Sequence, residues 1–131
     1  MPIIKIKMGG IQMKIGISAR GKTLDSLLDE RFGRCEYFLI YDTKDKQTSV
    51  LENKGQLASG GAGIKAAQQL IDEKVDVIIT GHLGPNAYEL IDKSGIKAYE
   101  CKTTTINSVI QRLEKGELTE IREAGSAHHS I

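Results

Sequence analysis

The chain has 131 residues, 40% of them hydrophobic and 27% charged, which is enough to bury a core without disulfide staples. Its 18 basic and 17 acidic residues are interspersed and leave a formal net charge of +1, which argues against a nucleic-acid partner. No apolar run approaches the roughly 20 residues of a spanning helix, no signal-peptide pattern opens the chain, and Cys35 and Cys101 make no disulfide framework, so the expectation is a reduced, cytoplasmic protein with no membrane partner.

Residues 1–12 read as a leader or extra segment to which no function is assigned. Residues 13–120 read as one α/β domain, and residues 121–131 as a polar tail carrying His128 and His129. Met13 to Ser18 alternates apolar and small residues and predicts the first strand. Asp25 to Phe32 predicts a short helix with Leu27 and Leu28 turned inward. Tyr37 to Asp42 and Thr48 to Glu52 flank a polar turn and predict a hairpin. A helix after Gly63 would bury Ile64, Ala67, Leu70 and Ile71. Val75 to Thr80 is a near-continuous apolar run, as in a buried parallel strand. Pro85 suits the first position of the next helix, whose inner face is Ala87, Leu90 and Ile91, and Gly95 stops it. Ile96 to Cys101 predicts the last strand. Thr103 to Thr105 can cap a final helix that buries Ile106, Val109, Ile110 and Leu113 and ends at Gly116. A hairpin followed by strand–helix units implies a mixed sheet covered on both faces.

Four segments invite a chemical reading. Gly16-Ile17-Ser18-Ala19-Arg20-Gly21-Lys22-Thr23 fits the pattern of a phosphate-binding loop. Gly16, however, falls inside the first strand, the helix after Lys22 is weak, and the next strand turns back as a hairpin. A nucleotide- or phosphate-binding enzyme using Gly21-Lys22-Thr23 is therefore an alternative and not the leading reading. Ser59-Gly60-Gly61-Ala62-Gly63 lets the backbone approach a ligand, and the following helix offers unpaired N–H groups to an anion; it is equally readable as a helix cap. Gly81-His82-Leu83-Gly84-Pro85-Asn86 lies at the end of a buried strand, where open α/β sheets bind ligands. His82 could ligate a metal there or be a solvated loop residue. Arg31-Phe32-Gly33-Arg34-Cys35 offers two guanidinium groups for an anion and, in Cys35, either a soft ligand or a small buried apolar residue. There is no C-x-x-C and no evident catalytic acid pair or triad.

In order, Met13-Lys14-Ile15-Gly16-Ile17-Ser18, Arg31-Phe32-Gly33-Arg34, Tyr37-Phe38, Glu52-Asn53, Ser59 to Gly63, Ala66-Ala67-Gln68, Thr80 to Ala87 and Gly95-Ile96-Lys97 resemble the dinitrogenase iron–molybdenum cofactor biosynthesis family, which includes NifX-type proteins and the C-terminal domain of NifB-type proteins. The resemblance covers about Met13 to Glu120. It implies a three-layer α/β/α, ribonuclease H-like fold with a five-stranded mixed sheet in the order 3-2-1-4-5. It implies binding or carriage of an iron–molybdenum-type or other metal–sulfur cluster or its precursor, with cofactor-assembly proteins as partners, and no catalysis. The expected cofactor-binding residues are Arg31, Arg34, Ser59, Gly60, Gly61, Gly63, Gly81, His82, Gly84 and Asn86, with His82 and Cys35 as candidate metal ligands. A regulatory scaffold that holds no cofactor is the remaining alternative.

Overall fold

A computed structural model describes residues 12–125. Residues 1–11 of the expected leader, and His128 and His129, lie outside the described residues.

The strands are β1 (Lys14–Ala19), β2 (Tyr37–Asp42), β3 (Thr48–Glu52), β4 (Val77–Thr80), β5 (Lys97–Glu100) and β6 (Thr119–Glu120), and the helices are α1 (Ala62–Asp72), α2 (Pro85–Lys93) and α3 (Ile106–Glu114). One sheet runs β3-β2-β1-β4-β5-β6. The first five strands stand in the expected order. The sixth, β6, pairs antiparallel with β5 through Tyr99↔Glu120 and Glu100↔Thr119. Two residues carry no readable period, which is why the sequence did not announce it. The β1–β2 and β2–β3 pairs are antiparallel, whereas β4 runs parallel to both β1 and β5.

Period-two alternation sorts the strand residues onto the two faces. Ile15, Ile17, Leu39, Tyr41, Val77 and Ile79 face one core cluster, which α3 closes with Ile106, Val109, Ile110 and Leu113. Phe38, Ile40, Ile78 and Ala98 face the other, which α1 closes with Ala66, Ala67 and Leu70 and α2 with Ala87 and Ile91. Helices on both faces of one sheet make three layers. Gly16 in β1 lets α1 approach closely, for a Cβ there would stand 3.2 Å from Leu70 Cδ2.

Three expectations about faces need correction. No helix forms over Asp25–Phe32. The segment is held extended by Arg20 N–H to Leu27 O, Leu28 N–H to Thr104 O and Asp29 N–H to Ser18 O, each 2.9 Å, and only a 3₁₀ turn forms, at Phe32–Arg34. Bonding to β1 and to the approach of α3 overrides a short apolar repeat. Leu28 is buried, but Leu27 is exposed. In α1, Ile64 is exposed too and Ile71 is half-buried, whereas Ala67 and Leu70 face inward as expected, joined by Ala66. Thr105 caps α3 as expected, accepting from Ser108 N–H at 3.2 Å.

The phosphate-binding-loop reading fails on geometry. Gly16 lies within β1, no helix follows Thr23, and β2 returns antiparallel. Lys22 Nζ sits 5.3 Å from the centre of the Tyr37 ring. No helix among the described residues is long and apolar enough to cross a membrane.

Candidate functional site

A cleft of about 630 Å³ opens beyond the carboxyl end of β4. Three stretches far apart in sequence line it: Glu30 to Arg34, Gly61 to Ile64, and His82 with Gly84 to Ala87. Of the residues expected at the site, Arg31, Arg34, Gly61, Gly63, His82, Gly84 and Asn86 line this cleft. Ser59 and Gly60 are exposed and stand off the lining, and Gly81 turns its Cα toward Glu30 instead.

Two helices start at the cleft. The residue preceding α1, Gly61, has φ +69°, a left-handed conformation that suits glycine, and no side chain caps the helix. Gly84 precedes α2, again without a side-chain cap, and Pro85 is its first residue. The first-turn amides of both helices have no intrahelical partner, and each helix end carries partial positive charge. The walls between them are Phe32, Ala62, Ile64, Pro85 and Ala87. One acid is present, but the Glu30 carboxylate accepts from Thr103 N–H at 2.8 Å and Thr103 Oγ1 at 2.7 Å, and these bonds hold its pKa below the ordinary value.

Close packing brings the three stretches together. A Cβ on Gly33 would stand 2.9 Å from Gly63 N and 3.1 Å from Gly63 Cα, so the 3₁₀ turn and α1 touch backbone to backbone. Asn53, buried and missing from the expected site, ties the turn down. Its Nδ2 donates to Gly33 O at 3.1 Å and Cys35 O at 2.8 Å, while its Oδ1 accepts from Gly55 N–H at 2.9 Å. Besides its place in the Glu52-Asn53 pair of the family resemblance, the Asn-x-Gly spacing of an Asx turn was its local sequence signal.

The arginines shape the cleft more than they offer charge to it. The Arg31 fork is taken by buried Asp29, with Nε to Oδ1 at 3.0 Å and Nη2 to Oδ2 at 2.8 Å. A buried carboxylate requires such a partner, which is why the fork expected for a ligand closes on the protein. Arg34 Nη1 donates to Gln56 O at 2.7 Å and Ala58 O at 2.9 Å, anchoring the loop before α1. Burial raises the Asp29 pKa, but the hydrogen bonds and charge of Arg31 outweigh it and leave the group below its ordinary 3.8. A depressed carboxylate stabilises the fold fully above its unfolded value and loses that contribution as pH falls through the folded value. Asp29→Asn is therefore expected to lower the melting temperature at pH 7 and to flatten its fall below about pH 4, as followed by circular dichroism across a pH series.

Cys35 does not reach the cleft. It is fully buried beside Phe32 and Phe38, its thiol donates to Phe32 O at 3.4 Å, and burial pushes its pKa up to about 12. A protonated thiol sealed in an apolar layer cannot serve as a metal ligand in the cleft. Cys101 is buried as well, and the two thiols are not bonded to each other. Neither should react with a disulfide reagent at pH 8 until denaturant is added, a two-step thiol count that checks the assignment. Among the described residues no three His, Cys, Asp or Glu side chains group as a metal site, so His82 is the remaining ligand candidate at the cleft.

The family model described as dinitrogenase iron–molybdenum cofactor matches residues 13–116. The chain belongs to this family. The match spans every stretch that builds the cleft. Among solved structures, the apo form of the orange protein from Desulfovibrio gigas is 32% identical over 87% of this chain and 97% of its own, with a TM-score of 0.83. A Thermotoga protein provisionally assigned to NifB and to the DUF35 family is 33% identical over 88% and 99%, with a TM-score of 0.78. A Methanocaldococcus jannaschii protein provisionally assigned as a dinitrogenase shares the fold, at 24% identity over 86% and 98% and a TM-score of 0.63. The search of curated proteins found no match. The family connects the chain with iron–molybdenum cofactor proteins.

Proposed function

We propose that the cleft binds and carries a negatively charged metal–sulfur cluster, of the iron–molybdenum type or its precursor, as cargo in cofactor assembly. The observation that carries this reading is the convergence of two uncapped helix starts, α1 and α2, on one cleft with mostly apolar walls. Backbone amides near Gly61, Gly63 and Asn86 would meet the anionic cargo, as helix starts meet phosphates. The apolar walls limit water, which strengthens each N–H contact. His82 at the rim can add one bond to metal. The Thr103 bonds engage one oxygen of the single lining carboxylate. The protein acts by holding and releasing, without a chemical step.

Anaerobic reconstitution with iron, molybdenum and sulfide should give a visible chromophore that stays with the protein through gel filtration. His82→Ala should weaken it. A protein that remains colourless under every combination of these precursors would overturn the proposal.

A further inference from the structure

Ile64 is the third residue of α1 and lines the cleft, where it stays 42% exposed while Ala66, Ala67 and Leu70 bury the inner face of the helix. The first backbone bond of α1 runs from Lys65 N–H to Gly61 O at 3.0 Å, so the amides of Ala62, Gly63 and Ile64 have no acceptor within the helix. A helical side chain leans toward the helix start and covers the turn before it. Ile64 therefore lies over the turn from which these amides emerge. Its branched Cβ restricts χ1, which makes it a stiff lip.

A helix start by itself welcomes phosphate or a comparable oxyanion. Oxyanion sites add side-chain donors, such as the lysine and hydroxyl of a phosphate-binding loop. Among the described residues no lysine, serine or threonine lines this cleft. The Arg31 fork closes on Asp29, and Arg34 Nη1 is committed to Gln56 O and Ala58 O. The uncommitted polar side chains are His82 and Asn86, set against Phe32, Ile64, Pro85 and Ala87. A compact oxyanion that enters gives up more water than these donors return, and for a charge that deficit is steep. An anion whose charge is spread over polarisable sulfurs is larger, holds water less tightly and gains dispersion contacts with apolar walls.

We infer that Ile64 is a specificity-determining residue of the cleft: it keeps water from the first-turn amides of α1, so that a sulfur-surfaced anion is accepted and a hydrated oxyanion is turned away. Selectivity of this kind works by leaving the wrong ligand short of hydrogen bonds. The inference rests on the carrier reading and adds the residue that sets its selectivity.

The test is a pair of anaerobic titrations of nitrogen-15-labelled full-length protein, one with tetrathiomolybdate and one with molybdate, read as the ratio of the two dissociation constants. The parent should prefer tetrathiomolybdate by more than about tenfold. Ile64→Thr keeps the branch but places a hydroxyl at the lip, and it should narrow the preference about tenfold, the worth of one hydrogen bond to a charged acceptor. Leu57→Thr is the control, since Leu57 is 91% exposed and stands off the lining, and it should keep the parent's ratio. An unchanged ratio in Ile64→Thr, an equal change in Leu57→Thr, or molybdate bound by the parent as tightly as tetrathiomolybdate would overturn this inference and leave the carrier reading standing. A parent that binds no tetrathiomolybdate would overturn both. Equal melting temperatures for the variants and the parent separate a change at the lip from unfolding.

Discussion

Gly33→Val should lower the melting temperature by about 10 °C and abolish the proposed binding of a cluster in the cleft. The new Cβ would stand 2.9 Å from Gly63 N and 3.2 Å from Ala62 C, and both are backbone atoms that no rotamer change can move. Relief requires the 3₁₀ turn and the start of α1 to separate. Overpacking of this kind costs on the order of 3 kcal/mol, which in a domain of this size is a shift of roughly 10 °C. The same separation pulls apart two of the three stretches that line the cleft. Gly60→Ala provides the control, since nothing lies within 4 Å of a Cβ there, and it should stay within about 0.5 kcal/mol of the parent. Equal melting temperatures for Gly33→Val and the parent would show that the backbones are not in contact.

Asn53→Ala should cost about 3 kcal/mol in urea unfolding. The substitution leaves the carbonyls of Gly33 and Cys35 and the amide of Gly55 without their partner, and a buried group left unpaired costs about 1–3 kcal/mol. Asn53→Asp distinguishes this from a simple cavity. It keeps an acceptor for Gly55 N–H but offers no donor to the two carbonyls, and it should be at least as harmful as alanine. Because Asn53 Nδ2 bonds Gly33 O, the two sites belong to one unit, and the effects of Gly33→Val and Asn53→Ala should not add. A cost below about 1 kcal/mol for both Asn53 variants would mean that the turn holds itself.

The strand and helix pattern was legible wherever burial imposed a strict period. Ile106, Val109, Ile110 and Leu113 appear on the buried face that their spacing implied, and Ile15 and Ile17 share one face as the alternation in the first strand required. The three stretches of the cleft were also legible, because glycines, a histidine at a strand end and a proline at a helix start are local signals. What was not legible depends on distant partners. Arg31 looks like an anion ligand until Asp29 is seen folded beneath it. Cys35 looks like a soft ligand until Phe32 and Phe38 enclose it. Asp25 to Phe32 has an apolar repeat too short to nucleate a helix, and the ends of β1 and the approach to α3 claim its amides first. Asn53 is an ordinary turn residue in sequence, and only its contacts at Gly33 and Cys35 make it the clamp of the site.

The cleft as the seat of an anionic cargo is tested most directly by amide chemical shifts. Nitrogen-15-labelled protein titrated anaerobically with tetrathiomolybdate, a small molybdenum–sulfur anion, should show saturable shifts concentrated at Gly61, Ala62, Gly63, Ile64, Asn86 and Ala87, with smaller ones at Gly33 and Arg34. Shifts centred on Gly21, Lys22 and Thr23, or scattered over surface lysines without saturation, would contradict the account.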